Sequence, residues 1–582
     1  MDNSQFNRRK FLRTSLLASG SLFLAPIIIS CSNDDSSNPN TDGVDGQFQI
    51  KNFDYGVASF DPTATSVIIW TRYANANTEI VWEIAKDLHF KDIVRQGKVT
   101  VASLSDNTIA IEIQDLPSNS KFYYRFYNTS TKDTSVIGET ITLPATSDQV
   151  SNVKLAIASC SNYPAGLFHV YGEMAKSDAD VIIHLGDYIY EYAPGQYGTN
   201  ASTLAFNRAH KPNKEIVTLE DYRERYRQYR SDANLQLAHQ KKPFICVWDD
   251  HEIANDTYKD GAENHQPETE GSFETRKRAA LQAYSEFIPL KTGKDARIYR
   301  SFDFGNILSL HMLDTRVIAR DKQLSYGNYM TASGFDQAKF MQDYMNPNRQ
   351  LLGKEQLGWL AGQMNSSGAT WQVLGQQILM AKMLVPAEFL MIVNQIMAEI
   401  EAGGSASANS MLALQKAVGE LVVIKTRLLQ GDPTLTAQEK ARVTTVLPYN
   451  LDAWDGYAVE REMLYSLCKG KKVMTLAGDT HNAWYSQMKT QTGEVVGYEL
   501  ATSSVSSPGM ETYLGISNDP SQARQLEQVM PLLIDELDYV NLTDRGYLYI
   551  DYTTSGAKAE WRFVDTVFNS NYTVQTKKTV VI

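Results

Sequence analysis

From Val153 onward the chain repeats one pattern, an apolar run of strand length that stops at a polar knot. The runs are VKLAIASCS, DVIIHLGDY, PFICVWDDHE, ILSLHMLDTR, WQVLGQQILM and VMTLAGDTH. Helix-like stretches such as LEDYRERYRQYRSD and ETRKRAALQAYSEF lie between several of them. Continuous apolar strands have no solvent-facing side, so the pattern predicts an α/β arrangement with a sheet buried by helices on both faces. Ligands in such sheets bind beyond the carboxyl ends of the strands. Five of the runs end in Cys160, Asp187, Asp250-His251, Asp314-Arg316 and Asp479-His481. These residues are far apart in sequence and are expected to converge in space.

A charged side chain at the end of a buried strand is costly unless something pairs with it. Taken alone, Asp187 reads as a helix cap. The other strand ends change that reading, because Cys160, Asp250, His251, Asn255, Asp479 and His481 supply further oxygen, nitrogen and sulfur donors. Carboxylate, amide and phenolate oxygens suit hard cations, whereas imidazole and thiolate suit iron or zinc. The mixture implies more than one metal. Two adjacent metals suit phosphate esters, one acidifying a water to hydroxide and both neutralising charge on the phosphoryl oxygens. Asp187 is then the expected bridge. A helical turn after Asp187 would bring Tyr190 to the same side as a phenolate ligand. Tyr188 would point elsewhere and pack.

Other segments organise the chain around this set. Residues 48–146 carry short runs rich in Val, Ile, Tyr and Trp, such as SVIIWTRYA and KFYYRFYN, and read as an N-terminal β-sandwich. Residues 147–582 form the expected catalytic domain. Within it, residues 383–447 read as a mostly helical insertion whose Met and Leu stripes are packing. The later stretches GEVVGYELAT and GYLYIDYTTSGAKAEWRFVDTV read as strands extending a second sheet. At the other end, residues 1–31 hold the pair Arg8-Arg9 and an apolar segment closing on Ile28-Ile29-Ser30-Cys31. That resembles a bacterial twin-arginine signal with a lipobox, which would leave Cys31 lipidated and residues 32–47 as a flexible tether.

Composition removes several alternatives. A formal net charge of −12 argues against a general nucleic-acid or anionic-membrane binder. Four cysteines in 582 residues cannot build a disulfide framework. No Walker-type glycine loop precedes a Lys-Ser or Lys-Thr pair, HEIAN at 251–255 lacks the second histidine of a zincin helix, and Gly-x-Ser-x-Gly is absent.

The ordered segments ASCSNY, HLGDYIYE, WDDHEIAND, MLDTR, LGKEQLGWL, WDGY and AGDTHN resemble the PhoD-like alkaline phosphatases of the metallophosphoesterase superfamily. The resemblance spans roughly residues 50–570. It implies a β-sandwich followed by a four-layer α/β metallophosphoesterase domain, with iron(III) and calcium as cofactors. It also implies Cys160, Asp187, Tyr190 and His481 around iron, and Asp187, Asn255 and Asp479 around calcium. Asp250 is implied either as a ligand or as a support behind one. Arg316 is implied as a contact to a phosphate oxygen, with a salt bridge to a neighbouring aspartate as the alternative. His251 reads as a proton donor to the leaving group, or as support for a ligand. Cys246 and His184 read as core residues, Cys468 shows no partner, and RYRQYR reads as a solvated helix face.

The expectation is therefore an exported, lipid-anchored enzyme. It would hydrolyse phosphate mono- or diesters by hydroxide attack at phosphorus, with a phosphate ester as its partner and no protein partner evident. A phospholipase D-type diesterase and a non-catalytic surface binding lipoprotein are the alternatives.

Overall fold

The computed structural model describes residues 48–291, 297–332, 334–403, 406–514 and 520–582. The expected signal, lipobox and tether lie outside these residues. The apolar runs divide between two facing sheets instead of lining up in one. The first sheet has nine strands in the order Val574–Val581, Ala557–Val564, Arg545–Tyr552, Val153–Ala158, Val181–His184, Phe244–Cys246, Val57–Phe60, Val67–Arg72 and Thr108–Ile113. Its centre is parallel, running from Val153–Ala158 to Val57–Phe60. The second has seven, in the order Arg300–Phe304, Leu308–Met312, Trp371–Gly375, Lys472–Ala477, Val495–Ala501, Ala483–Lys489 and Leu537–Asn541. Its four central partners from Leu308–Met312 to Val495–Ala501 are parallel.

The period-2 alternation of a strand decides which face meets which layer. In Lys472–Ala477, Met474 and Leu476 join Leu155, Ile157 and Leu548 in a core between the two sheets. Val473 and Ala477, on the other face, join a second core with Leu360, Leu464 and Leu421 from the covering helices. Helices His169–Lys176, Leu219–Arg230, Ala233–Lys241 and Phe273–Phe287 send side chains into the core of the first sheet. The result is a four-layer helix–sheet–sheet–helix body preceded by a β-rich unit.

That β-rich unit has its own six-stranded sheet and core around Ile80, Ile84, Tyr124 and Phe126. Its other layer, Val57–Phe60, Val67–Arg72 and Thr108–Ile113, is the edge of the nine-stranded sheet. Phe60 pairs with Phe244 across the seam, and Asp61 N–H donates to the Phe244 carbonyl at 3.0 Å. Arg300 is buried at the same place, bridging Asp61 at 2.6 and 2.8 Å and the Cys246 carbonyl at 2.9 Å.

Three details depart from the sequence reading. Of the two late stretches, Val495–Ala501 enters the second sheet, whereas Arg545–Tyr552 and Ala557–Val564 complete the first. The RYRQYR helix face is not solvated, since Tyr222, Arg225, Tyr226, Tyr229 and Arg230 are all fully buried. The two arginines are accommodated differently, Arg225 by acceptors and Arg230 chiefly by stacking of its plane on a ring. Arg230 lies 4.4 Å from the Trp70 ring, and Arg225 reaches three backbone carbonyls. Finally, the segment after Asp187 is an irregular bend and not a helical turn. The insertion is helical as its spacing indicates, with Ala387–Gly403, Ala408–Leu429 and Ala437–Thr444 flanked by the short pair Leu384–Pro386 and Val446–Pro448. Among the described residues no helix is long and apolar enough to cross a membrane.

Candidate metal centre

The strand tips of both sheets meet at one place. Four of the expected ligands, Cys160, Asp187, Asp479 and His481, sit in the left-handed region with φ of 60, 56, 61 and 64°. That conformation is uncommon outside glycine and costs about 1–3 kcal/mol per residue. It turns each side chain sharply off the end of its strand. Gly186 and Gly478 allow the tips to approach, because a Cβ at Gly186 would collide with Asp249 and one at Gly478 with Ser159.

Cys160, Asp187 and His481 place their sulfur, oxygen and nitrogen atoms within 4.8 Å of one another. Tyr190 completes this group. Its hydroxyl lies 2.9 Å from Asp187 Oδ2 and 3.1 Å from His481 Nε2, and accepts from Ser507 Oγ at 2.7 Å. His481 Nδ1 is 2.6 Å from the Pro508 carbonyl, so the proton on Nδ1 points there and the Nε2 lone pair faces Tyr190. Burial lowers the pKa of His481 to about 3, which keeps it a neutral donor. A second group joins Asp249, Asp250 and Asp479, and a third joins Asp187, Asp250 and His251, each within 4.8 Å. Asn255 lines the same cavity. All seven residues expected as ligands thus come to one cavity or its immediate wall.

The carboxylates are crowded without enough positive charge. Burial raises the pKa of Asp187, with Asp250 adding to the rise while His251 opposes it. Burial, then Asp249, does the same to Asp479. Asp187 Oδ1 and Asp249 Oδ2 are buried with no hydrogen-bond partner. Orphaned buried carboxylate oxygens beside a thiol, a phenol and a neutral imidazole form a donor set that fits cations. The thiol of Cys160 and the imidazole of His481 lie in one group with Asp187, and a separate group is made of the carboxylates Asp249, Asp250 and Asp479 alone.

Arg316 is fully buried and ringed by acids. Its Nε lies 2.5 Å from Asp249 Oδ1, its Nη1 2.9 Å from Asp452 Oδ2 and its Nη2 2.9 Å from Asp479 Oδ1. Burial works against the charge of His251, but Asp187, Asp250 and Glu191 outweigh it and shift its pKa upward. Its Nδ1 lies 2.7 Å from Glu191 Oε2, and its ring stands 4.2 Å from that of Tyr190.

Several residues that shape the site carried no assignment in the sequence reading. Glu252 is fully buried and accepts backbone N–H bonds from Asp187 at 3.0 Å, Tyr188 at 2.5 Å and Asp249 at 2.7 Å. One carboxylate therefore clips two ligand loops together and sets the bend that brings Tyr190 round. Glu191 holds His251 with one oxygen and the Asn255 N–H at 2.9 Å with the other. Arg225, expected on a solvated helix face, instead pins the carbonyls of Tyr190 and Tyr192 from the helix behind. The acidic letters in GDYIYE and WDDHE were the available signal, although nothing in them says which acid binds backbone. Tyr188 turns away to His239 Nε2 at 2.9 Å, and His184 bonds Tyr171 at 2.8 Å inside the core.

The centre opens into a cavity of about 360 Å³. Asp187, Asp250, His251, Asn255, Asp479 and His481 form one side of it.

The sequence matches a family described as PhoD-like phosphatase over residues 155–561, and one described as PhoD-like phosphatase, N-terminal domain, over residues 38–144. Alkaline phosphatase D of Bacillus subtilis (strain 168) is 32% identical over 605 residues, covering 100% of this chain and 88% of the relative. A solved structure titled "Structure of PhoD" superposes with a TM-score of 0.70 at 30% identity, covering 92% of this chain and 91% of that one.

Proposed function

From the premise that this chain belongs to the PhoD-like phosphatase family, we propose that it is a metal-dependent phosphatase cleaving phosphate mono- or diesters at the centre between its two sheets. The observation that carries this reading is the convergence of Cys160, Asp187, Tyr190 and His481 beside Asp249, Asp250 and Asp479.

Cys160, Asp187, Tyr190 and His481 would hold iron(III), while Asp187, Asn255, Asp479 and Asp250 would hold calcium. Bound there, the metals supply Lewis-acid charge and an acidified water as nucleophile. The protein's own groups do the rest. Glu252 and Glu191 fix the ligand loops, so little reorganisation is needed when charge develops. His251, with Nδ1 bonded to Glu191, offers the Nε2 proton to the leaving oxygen. Arg316 positions Asp249 and Asp479 through its guanidinium, a role that its complete burial favours over contact with a phosphate.

The protein is further proposed to be exported through the twin-arginine route and anchored by lipid on Cys31, on the strength of Arg8-Arg9 and the Ile28–Cys31 motif.

The test compares hydrolysis of p-nitrophenyl phosphate and bis-p-nitrophenyl phosphate by the natural protein and by Asp187→Asn. The variant is expected to lose about 1000-fold or more in kcat/KM, because Asp187 would hold both metals, with its circular dichroism unchanged. Retained turnover would remove Asp187 from the centre of the reaction.

A further inference from the structure

Strand Val495–Ala501 leaves the second sheet through TSSVSSP at 502–508, an irregular segment that is buried from Thr502 to Ser507. A buried hydroxyl is costly unless it finds an acceptor. Ser504 Oγ donates to the Ser507 carbonyl at 2.6 Å and Ser506 Oγ to the Asn162 carbonyl at 2.8 Å, so these two serve backbone. Ser507 differs. Its Oγ reaches two acceptors, the Cys160 carbonyl at 2.9 Å and the Tyr190 hydroxyl at 2.7 Å. A serine hydroxyl has one proton to give.

The same segment touches three of the four residues expected around iron. Ser507 N–H donates to the Cys160 carbonyl at 3.3 Å, Ser507 Oγ meets the Tyr190 hydroxyl, and the Pro508 carbonyl accepts from His481 Nδ1 at 2.6 Å. Tyr197 closes the group, with its hydroxyl 2.7 Å from the Pro508 carbonyl and 2.8 Å from His481 Nδ1.

As a phenol, Tyr190 carries its own proton, which Asp187 Oδ2 accepts at 2.9 Å. As a phenolate it carries none and only accepts. A hydrogen bond to a charged oxygen is stronger than one to a neutral carbonyl, and the Cys160 carbonyl keeps the Ser507 N–H. The Ser507 proton is then drawn to Tyr190.

We propose that Ser507 is a positioning residue of the metal centre, donating its hydroxyl proton to the Tyr190 oxygen when that group ligates a cation as phenolate. This rests on the reading of Tyr190 as a ligand. Ser507 is not among the residues that line the cavity. It acts through Tyr190, fixing the phenolate oxygen and lowering its electron donation.

The test compares the full chain loaded with iron(III) and calcium in three forms, natural, Ser507→Ala and Ser506→Ala, by visible absorption and by metal release. The phenolate-to-iron charge-transfer band is expected to move to longer wavelength in Ser507→Ala, because an oxygen that has lost a hydrogen bond gives up its electrons more easily. That variant should also release iron at an EDTA concentration about 10-fold lower, as loss of a partner behind a metal ligand implies. Ser506→Ala removes a hydroxyl from the same segment without touching a ligand side chain, and should leave the band in place. A band that stays put in Ser507→Ala, or moves equally in Ser506→Ala, would overturn the inference and leave Tyr190 as a ligand. Natural protein with bound iron and no such band would overturn the reading of Tyr190, and the inference with it. A shifted band in protein without turnover on either nitrophenyl ester would overturn the phosphatase reading and support the role of Ser507.

Discussion

At the scale of single residues, the site depends on acids that touch backbone as much as on acids that face the cavity. Glu252 illustrates this. Each of its oxygens accepts N–H groups from the loop carrying Asp187, and one also accepts from Asp249. Glu252→Gln keeps the shape but aims an amide donor at backbone donors. Loss of a partner behind a metal ligand typically weakens metal binding about 10–100-fold. The variant should therefore release metal at a correspondingly lower chelator concentration; a release curve identical to that of the natural protein would contradict the role given to Glu252. The convergence of the donors was legible in the sequence, because several apolar runs of strand length stop at Cys, Asp or His and strand tips of buried sheets meet. The conformation that aims them was not, since φ near 60° at Cys160, Asp187, Asp479 and His481 leaves no mark in composition. Glu252 and Glu191 were also hidden, because a letter does not show whether a carboxylate binds a cation or a row of amides.

At the scale of elements, burial decides what charged letters mean. The arginines of Leu219–Arg230 suggest a wet helix, yet Arg225 and Arg230 are fully buried because carbonyls and a tryptophan ring receive them. Strand Val495–Ala501 shows the same effect with an acid. Glu499 is fully buried against the Met380 and Ala381 N–H groups, near Asp455 and Arg461. Burial pushes its pKa up to about 8 from an ordinary 4.5. The folded state then holds a proton that the unfolded state has released. Its contribution to stability is full below pH about 4.5, falls as pH rises toward about 8, and is constant above that, a change on the order of a few kcal/mol. Glu499→Gln should flatten the fall in melting temperature between pH 5 and 8 relative to the natural protein. Parallel pH profiles for the two proteins would contradict this.

At the scale of the whole molecule, the two parts of the chain are joined through a shared sheet. Alternation identified the early segments as strands but could not name their neighbours, since a period of two is the same whichever strand lies alongside. The expected N-terminal β-sandwich therefore carried no statement of its neighbours, and one of its layers is the edge of the nine-stranded sheet. For the same reason alternation could not assign each run to a sheet; the runs build two, in keeping with the expected four-layer domain. The seam at Phe60 and Phe244, with Arg300 buried against Asp61, couples the β-rich unit to the α/β body. Thermal unfolding should accordingly show one calorimetric transition. Two resolved transitions would mean that the seam is not cooperative.

The molecule as a whole brings its strand tips together so that a thiol, a phenol, an imidazole and several acids face one another. Elemental analysis of the purified protein beside Asp187→Asn tests this most directly. The expected result is iron and calcium bound in comparable, near-stoichiometric amounts in the natural protein, and loss of both in the variant. Metal-free natural protein with full phosphatase activity, or a variant that retains its metals, would contradict it.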